Sequence, residues 1–236
     1  MITDQKLLSI DPKDYHIRSL SAEEILEWFD ACDAGWMHDG DSKKPHAELV
    51  SGKCSNGYFN CSKVLCYPNL CEILAHQLVR KFIGDRIAVC KFDWVVSSSY
   101  AAITFGHEVA KVLGAKFGFT EKDPNNPKGQ IWKRFAIPKG SKVLQAEELI
   151  TTSGTFEEVY RAVKEGNSES VIFSSDVFTL IHRPSKLSTA DYDNRRVRAL
   201  VHEEIWAVKP EDCPLCAKGS KPLRPKENWA KLTGKA

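Results

Sequence analysis

Two adjacent carboxylates precede a run of small hydroxyl residues in the stretch VLQAEELITTSGTFEEVYRAV, which covers residues 143–163. The acids are Glu147 and Glu148, and the hydroxyl-rich turn follows at residues 151–155. A helix that begins at such a turn offers unpaired backbone N–H groups and a positive dipole end, which together bind phosphate. The acids would instead accept hydrogen bonds from sugar hydroxyls and stabilise a sugar carbon that becomes positive during reaction. The stretch therefore predicts a sugar-phosphate site.

The predicted phosphate cradle consists of five consecutive residues, in which a glycine lets the chain close around an anion without a side-chain clash. These residues are Thr151, Thr152, Ser153, Gly154 and Thr155. An ordinary strand-to-helix turn, with Thr152 or Ser153 capping the helix, is an alternative that this stretch alone leaves open.

Strand and helix patterns alternate from about residue 86 to residue 181, which predicts a mostly parallel sheet covered by helices. Ligands of such sheets bind outside the carboxyl ends of the strands, where the acid pair and the serines after Val96 fall. The polar segment DPNNPKGQ is predicted as a loop, and IWKRFAI as a further strand. Helices are predicted over residues 21–34 and 69–82, from residue 103 to Gly114, and from residue 155 to Gly166.

Composition restricts the class of protein. The 236 residues suffice for one large domain or one domain with an extension, and the net charge of +2 indicates no global attraction to nucleic acid or membrane. The stretch MITDQKLLSI does not have the pattern of a signal peptide, and no apolar run approaches the roughly 18 residues of a membrane helix. We therefore expect a soluble, cytoplasmic protein whose eight cysteines are mostly thiols.

The basic C-terminal stretch KGSKPLRPKENWAKLTGKA favours a solvated terminus with some docking contacts. Nucleic-acid binding, with Trp229 stacking on bases, is the least favoured alternative because no larger basic and aromatic face supports it.

The segment VLQAEELITTSGT resembles the signature of type I phosphoribosyltransferases, an apolar strand, two acids, two variable residues and a Thr-Gly-Gly-Thr-like loop. HAELVSGKCSNGYFN is similar to the N-terminal substrate segment of bacterial orotate phosphoribosyltransferases. ITFGHEVAKVLGAKFGFTEKD resembles their next helix, strand and loop entry. EDCPLCAKGSKPLRPKENWAKL resembles the C-terminal tail of one bacterial branch. The resemblance covers most of residues 22–232.

This resemblance implies an α/β protein of the type I phosphoribosyltransferase fold. Such a fold has a mostly parallel five-stranded sheet flanked by helices, with a small N-terminal hood. It divides the chain into the hood and leading helices at 1–84, the α/β core at 85–182, and a C-terminal hood strand and basic tail at 183–236. It also implies a homodimer.

The resemblance further implies a Mg²⁺-dependent transfer of phosphoribosyl from phosphoribosyl pyrophosphate (PRPP) to a pyrimidine-type base such as orotate, releasing pyrophosphate. By position, the acid pair would hold the ribose hydroxyls and residues 151–155 the 5′-phosphate. Lys53 would contact the phosphate-rich or orotate side, and Lys122 would begin a mobile loop that often reaches a neighbour's active site. Phe59 would stack near the base, and Arg183 would bind a base carboxylate or carbonyl. The pyrophosphate loop would include Ser98, Tyr100 and Ala101.

Three features depart from the family pattern. The second acid, Glu148, is one methylene longer than the usual aspartate, and Ala101 and Ala102 stand where the pyrophosphate loop usually has glycines. The mobile loop has no histidine and few basic residues, for which Lys128, Lys133 and Arg134 could substitute. A catalytically weak or inactive protein that binds a nucleotide monophosphate or sugar phosphate is therefore the alternative function.

The motif CPLC places Cys213 and Cys216 at the spacing of half a zinc site. The two missing ligands are not evident, because Cys54, Cys61, Cys66 and Cys71 are too widely spaced for a tight knuckle, although folding could bring two of them close. His38 and His46 could bind a metal with Asp39 or Asp41, but hydrogen bonding between hood and core is favoured. Apart from this weak zinc pair, the sequence predicts no metal site made by the protein alone.

Overall fold

The computed structural model describes residues 3–84, 91–151, 154–184 and 195–235. The helices are α1 (Asp4–Leu8), α2 (Ala22–Ala31), α3 (Ser62–Leu65), α4 (Pro68–Phe82), α5 (Ala102–Leu113), α6 (Gly154–Gly166) and α7 (Pro225–Thr233). The strands are β1 (Gly35–Met37), β2 (His46–Glu48), β3 (Cys54–Ser55), β4 (Gly57–Phe59), β5 (Trp94–Ser97), β6 (Lys116–Phe119), β7 (Glu121–Asp123), β8 (Asn126–Ile131), β9 (Lys142–Ile150), β10 (Ile172–His182), β11 (Arg196–His202), β12 (Ala207–Val208) and β13 (Pro222–Leu223).

A five-stranded parallel sheet forms the core, with strand order β11-β10-β9-β5-β6. Neighbouring residues of its strands face opposite sides, as in β9, where Leu144 packs with α4 and α5 while Val143 packs with α6. Both faces are therefore covered, which explains why apolar residues of the strand occupy both of its sides. The fold class predicted from the sequence is confirmed.

The predicted helices form near the expected positions. A reciprocal capping box between Ser21 and Glu24 starts α2, and Gly114, with φ of 64°, ends α5 in the left-handed region. Among the described residues, no helix combines the length and apolar character needed to cross a membrane.

Two local predictions between residues 123 and 137 are wrong. The segment predicted as a loop forms the antiparallel hairpin β7–β8, whose turn is held by the Asp123 carboxylate accepting from Asn125 N–H at 2.8 Å. The segment predicted as a strand contributes only Ile131, because Trp132 and Ile137 leave the strand direction to fill the space beneath α6. Their apolar pattern reflects this packing and not a strand.

A second, four-stranded sheet, called here the hood sheet, has the order β12-β3-β2-β13. Its inner hairpin, β2–β3, comes from the N-terminal part of the chain, whereas β12 and β13 come from the C-terminal part. The segment predicted as a largely solvated tail contributes β13 and α7, and Lys235 beyond α7 pairs with Asp30 and Asp33. The predicted division of the chain into three parts stays a prediction. One strand of the core sheet, β11, belongs to the predicted third part, residues 183–236.

Candidate functional site

The acid pair lies near the carboxyl end of β9, beside the carboxyl end of β5. Glu147 is 2% exposed, and its carboxylate accepts from the Ser98 hydroxyl at 2.6 Å and from the Gln145 side-chain amide at 2.8 Å. The same amide donates to the backbone carbonyl of Phe156 in α6 at 3.0 Å. Neighbouring parallel strands thus fix this acid against the turn after β5 and the start of α6.

Burial sets the protonation of both acids. Burial first, and the neighbouring Glu148 second, raise the pKa of Glu147 to about 8, against the opposing hydrogen bonds from Ser98 and Gln145. Burial also raises the pKa of Glu148, while the positive charge of Lys122 opposes that change. Without a ligand at neutral pH, Glu147 is therefore mostly protonated, and a cation placed beside it would favour its ionised form.

A cavity of about 210 Å³ opens at the acid pair. Its lining brings together seven polar residues, which are Ser98, Ser99, Lys122, Glu147, Glu148, Thr151 and Thr155. A second cavity of about 530 Å³ shares Lys122, Thr151 and Thr155 with it, so the two cavities adjoin, and together they are called the groove here.

The described residues of the predicted cradle, Thr151, Gly154 and Thr155, line this groove at the start of α6. A Cβ atom built on Gly154 would meet no atom within 4 Å, so the space above this glycine is open to a ligand. Two further residues of the predicted cradle, Thr152 and Ser153, lie outside the described residues. Thr151 and Thr155 line the same cavity as the acids, and Gly154 lines the adjoining one.

The hairpin β7–β8 borders the groove. Lys122 lines both cavities and Lys128 lines the larger one. Lys133 and Arg134, the other basic residues considered for this role, form ion pairs with Glu121 and line neither cavity. The hairpin therefore supplies two positively charged side chains, those of Lys122 and Lys128, to the groove.

The predicted pyrophosphate loop joins β5 to α5. Ser98 and Ser99 line the cavity, and the buried Ser99 hydroxyl has no hydrogen-bond partner among the described residues. Tyr100 is 75% exposed, and Ala101 caps α5 without a side-chain hydrogen bond, so no cap side chain satisfies the first N–H groups of that helix. Serine hydroxyls and backbone N–H groups are the polar groups that this loop offers to an anion.

On the base side, the structure corrects the placement of Phe59. Its ring is 5% exposed and packs edge-on against Phe29 in the core, with centroids 5.4 Å apart, so it is not available to stack on a ligand. Tyr58, on the opposite side of β4, is only half-buried and interacts with Arg183, whose positive charge partly offsets the burial that raises the pKa of Tyr58. The sequence analysis missed Tyr58, although the alternation of sides along a strand is a signal that distinguishes it from Phe59.

Arg183 follows β10 and is buried, and its Nε atom has no hydrogen-bond partner in the part of the chain that the structure describes. Nearby, the Cys61 thiol donates to the backbone carbonyl of Glu148 at 3.5 Å, which joins the segment after β4 to the acid pair. Lys53, in contrast, is exposed in the turn between β2 and β3 and lines neither part of the groove. Cys213 and Cys216 lie in the hood, away from the groove lining.

A larger cavity, of about 610 Å³, lies at the opposite edge of the core sheet, where Trp94 begins β5 and Lys116 begins β6. The acid that lines it, Asp93, is engaged by the backbone N–H of Lys142 at 2.7 Å. Because ligands of parallel sheets bind at the carboxyl edge, the groove at the acid pair is the better candidate, although each of its two cavities is smaller than this one.

Comparisons with known proteins agree with this geometry. A sequence profile described as "Phosphoribosyl transferase domain" matches residues 62–217. The chain is 33% identical over 180 residues to an orotate phosphoribosyltransferase of Pelotomaculum thermopropionicum, covering 76% of this chain and 87% of that protein. It is 31% identical to the protein of the same name from Caldanaerobacter subterraneus, covering 87% of this chain and 97% of that protein.

Solved structures share the fold at lower identity. Orotate phosphoribosyltransferase from Aeropyrum pernix superimposes with a TM-score of 0.54 at 13% identity, covering 75% of this chain and 93% of that one. The Francisella tularensis structure of the same name gives 0.52 at 20% identity, covering 79% and 85%.

Proposed function

This chain belongs to the phosphoribosyltransferase family, and from that premise we propose that it transfers the phosphoribosyl group of PRPP to orotate. The products are orotidine monophosphate and pyrophosphate. The observation that carries the proposal is the single groove in which a phosphate cradle at the start of α6 meets two acids and a hydroxyl-bearing turn.

In the proposed complex, the 5′-phosphate binds at Thr151, Gly154 and Thr155, and the ribose hydroxyls donate to Glu147 and Glu148. The bond from the anomeric carbon to pyrophosphate breaks as the ring nitrogen of the base supplies the electron pair for the new bond, and the proton of that nitrogen is released to solvent. The carboxylate of Glu148, and that of Glu147 once a cation favours its ionised form, would stabilise the positive charge that develops on the ribose. Positioning and charge stabilisation supply the acceleration, and no covalent intermediate with the protein is required.

The leaving pyrophosphate is proposed to lie near Ser98, Ser99 and the start of α5, with Lys122 and Lys128 facing it from the hairpin. On the base side, we propose that Arg183 binds the orotate carboxylate or carbonyl. Tyr58 replaces Phe59 as the aromatic residue near the base. Lys53 keeps its predicted role only if the turn that carries it moves toward the groove.

Mg²⁺ fits this groove as an ion that arrives with PRPP. Among the described residues, the acid pair does not belong to a group of three or more potential protein ligands, but it offers the carboxylate oxygens that Mg²⁺ accepts beside substrate phosphates. When bound, the ion would neutralise the charge that accumulates on pyrophosphate. Glu148, which lines the cavity, is the residue proposed to approach it.

We also propose a homodimer in the cytoplasm, on the basis of the family resemblance. Lys122 lines the groove of its own chain. The test of a shared site therefore asks whether Lys122 also serves the groove of the neighbouring chain. Light scattering should give twice the mass of the chain. Mixing a Lys122→Ala protein with a Glu148→Gln protein should restore activity only if the hairpin serves the neighbouring site.

The function is tested by incubating the purified protein with Mg²⁺, PRPP and one base at a time, with chromatography of the products. Orotate should yield orotidine monophosphate, whereas uracil and adenine, which have no carboxylate for Arg183, should not. Product from adenine alone would overturn the choice of base. Calorimetric binding of orotidine monophosphate with no product from any base would favour the alternative of a nucleotide-binding protein.

A further inference from the structure

Four side chains of the hood converge on one point. The Nε2 atom of His46 lies 3.5 Å from the sulfur of Cys213 and 3.5 Å from that of Cys216, and the sulfurs of Cys54 and Cys216 are 3.7 Å apart. All four candidate ligand atoms lie within 4.8 Å of one another, and three of the four residues are buried.

The three separations of 3.5, 3.5 and 3.7 Å match the edges of a tetrahedral metal site. With zinc–sulfur bonds of about 2.3 Å and zinc–nitrogen bonds of about 2.0–2.1 Å, tetrahedral angles place two sulfurs about 3.8 Å apart and a sulfur and a nitrogen about 3.6 Å apart. Cys54, Cys213 and Cys216 with one imidazole also form one of the common ligand sets of structural zinc. The soft thiolates disfavour Mg²⁺ and Ca²⁺.

The hydrogen bonds of His46 orient its ring for this role. Its Nδ1 atom lies 2.8 Å from the Ser220 hydroxyl, which donates its proton to the backbone carbonyl of Lys44 at 2.6 Å. Since that hydroxyl has one proton, it accepts from Nδ1–H, and Nε2 keeps the lone pair that faces the sulfurs. Metal-bound histidines are fixed by this kind of partner on the second nitrogen.

The CPLC turn shapes the other side of the cluster. The backbone N–H of Cys216 donates to the sulfur of Cys213 at 3.4 Å, and Ala217 N–H donates to the carbonyl of Cys213 at 3.1 Å. Gly219, with φ of 87°, then turns the chain so that Ser220 reaches His46. The turn thus presents two sulfurs and the partner of the histidine together.

Apart from these four side chains, few interactions stabilise the hood sheet. Its strands have two or three residues each, and its own apolar cluster has three buried members, which are Cys54, Cys213 and Leu215. Sheets of such short strands depend on additional links, and structural metals provide them in small units.

We propose that His46, Cys54, Cys213 and Cys216 bind one Zn²⁺ ion that ties the C-terminal segment to the N-terminal hairpin. All four positions are filled by protein, so the site is structural, with no place for a substrate. It completes the half-site predicted from CPLC, with Cys54 and His46 as the missing ligands. His46 therefore does not act with Asp39 or Asp41.

The first test is the metal content of the wild-type protein, purified under reducing conditions without an affinity metal. We expect about one zinc per chain, and cobalt exchanged into the site should show the intense thiolate-to-metal absorption of a tetrahedral sulfur-rich centre. Iron in place of zinc, or less than a tenth of an equivalent of any metal after zinc supplementation, would overturn the proposal.

Variants then locate the ion. Cys213→Ser should lose nearly all zinc, whereas Cys66→Ser, which alters an exposed cysteine outside the cluster, should keep it. Full zinc content in Cys213→Ser would contradict the assignment. Since an unfolded variant would also lose zinc, wild-type protein is stripped with a chelator as a second test. Its unfolding temperature should fall and recover with Zn²⁺ but not with Mg²⁺, and no change on stripping would contradict a structural role.

Discussion

The groove at the acid pair and the metal cluster of the hood bring polar side chains together in different ways. In the groove, Ser98 follows β5 and Glu147 lies near the carboxyl end of the neighbouring β9, and the apolar residues of these strands are buried on both sides of the sheet. In the hood, Cys54 and Cys216 are 162 residues apart and belong to strands and turns of a few residues. Hydrophobic packing positions the first site before any ligand binds, whereas a ligand is needed to stabilise the second.

The largest expected effect is a loss of catalytic rate with no change in stability. Glu148→Gln keeps the shape of the side chain but removes a charge beside the ribose, so kcat/KM should fall about 100- to 1000-fold. Zinc content and unfolding temperature should be unchanged. Glu165→Gln, at the far end of α6, is the control and should keep full activity because its exposed ion pair with Arg161 contributes little. Wild-type activity in Glu148→Gln would break the assignment of the acid pair.

The next effect belongs to the hood. Ser220→Ala removes the acceptor of His46 Nδ1–H, so zinc affinity should fall about 10- to 100-fold while steady-state activity at saturating zinc is retained. Competition with a chromogenic chelator measures the affinity. An unchanged affinity would mean that the serine does not orient the ligand.

A third prediction uses the pKa of Glu147. The pKa of the Glu147 carboxyl is about 8 in the folded protein, against an ordinary value of 4.5 that applies to the unfolded chain. Between these two pH values the folded protein keeps a proton that the unfolded chain has released. Stability therefore falls as pH rises between these values, by about 2 kcal/mol between about pH 6 and pH 8. Glu147→Gln, which cannot ionise, should lack this decline, and the difference between the two denaturation curves cancels other titrating groups. A constant difference across this range would contradict the buried, protonated acid.

The smallest expected effects come from substituting the glycines at the two ends of α6. Gly154→Ala places a methyl group in open space of the cradle, so KM for PRPP should rise about tenfold with no loss of stability. In Gly166→Ala the new Cβ would lie 2.5 Å from the carbonyl oxygen of Trp132, so stability should fall by about 1–3 kcal/mol with KM unchanged. The reverse pattern would show that the cradle is a structural turn.

The sequence specified the groove better than the hood. The order of strand, acids, hydroxyl turn and helix is local, and it placed Glu147, Glu148, Thr151 and Gly154 correctly at the carboxyl edge of the sheet. The sequence does not predict the hairpin β7–β8 or the packing of Trp132, because both depend on contacts with α6. The resemblance assigns Phe59 to the base, whereas the three-residue strand β4 turns Phe59 into the core and leaves Tyr58 half-buried on its other side.

The zinc ligands were only half predictable. CPLC is a local signal, but the alignment of β13 with β2 that brings His46 to Ser220 follows from the whole fold. Spacing along the chain could not select Cys54 from the other upstream cysteines. The register of the hood sheet makes that selection.

The central claim is that the groove transfers phosphoribosyl to orotate, and continuous measurement of orotate consumption by wild-type protein with Mg²⁺ and PRPP tests it most directly. We predict that orotate disappears with equal amounts of orotidine monophosphate and pyrophosphate formed, and that omission of Mg²⁺ stops the reaction. Absence of orotate consumption by protein that binds orotidine monophosphate in calorimetry would contradict the account.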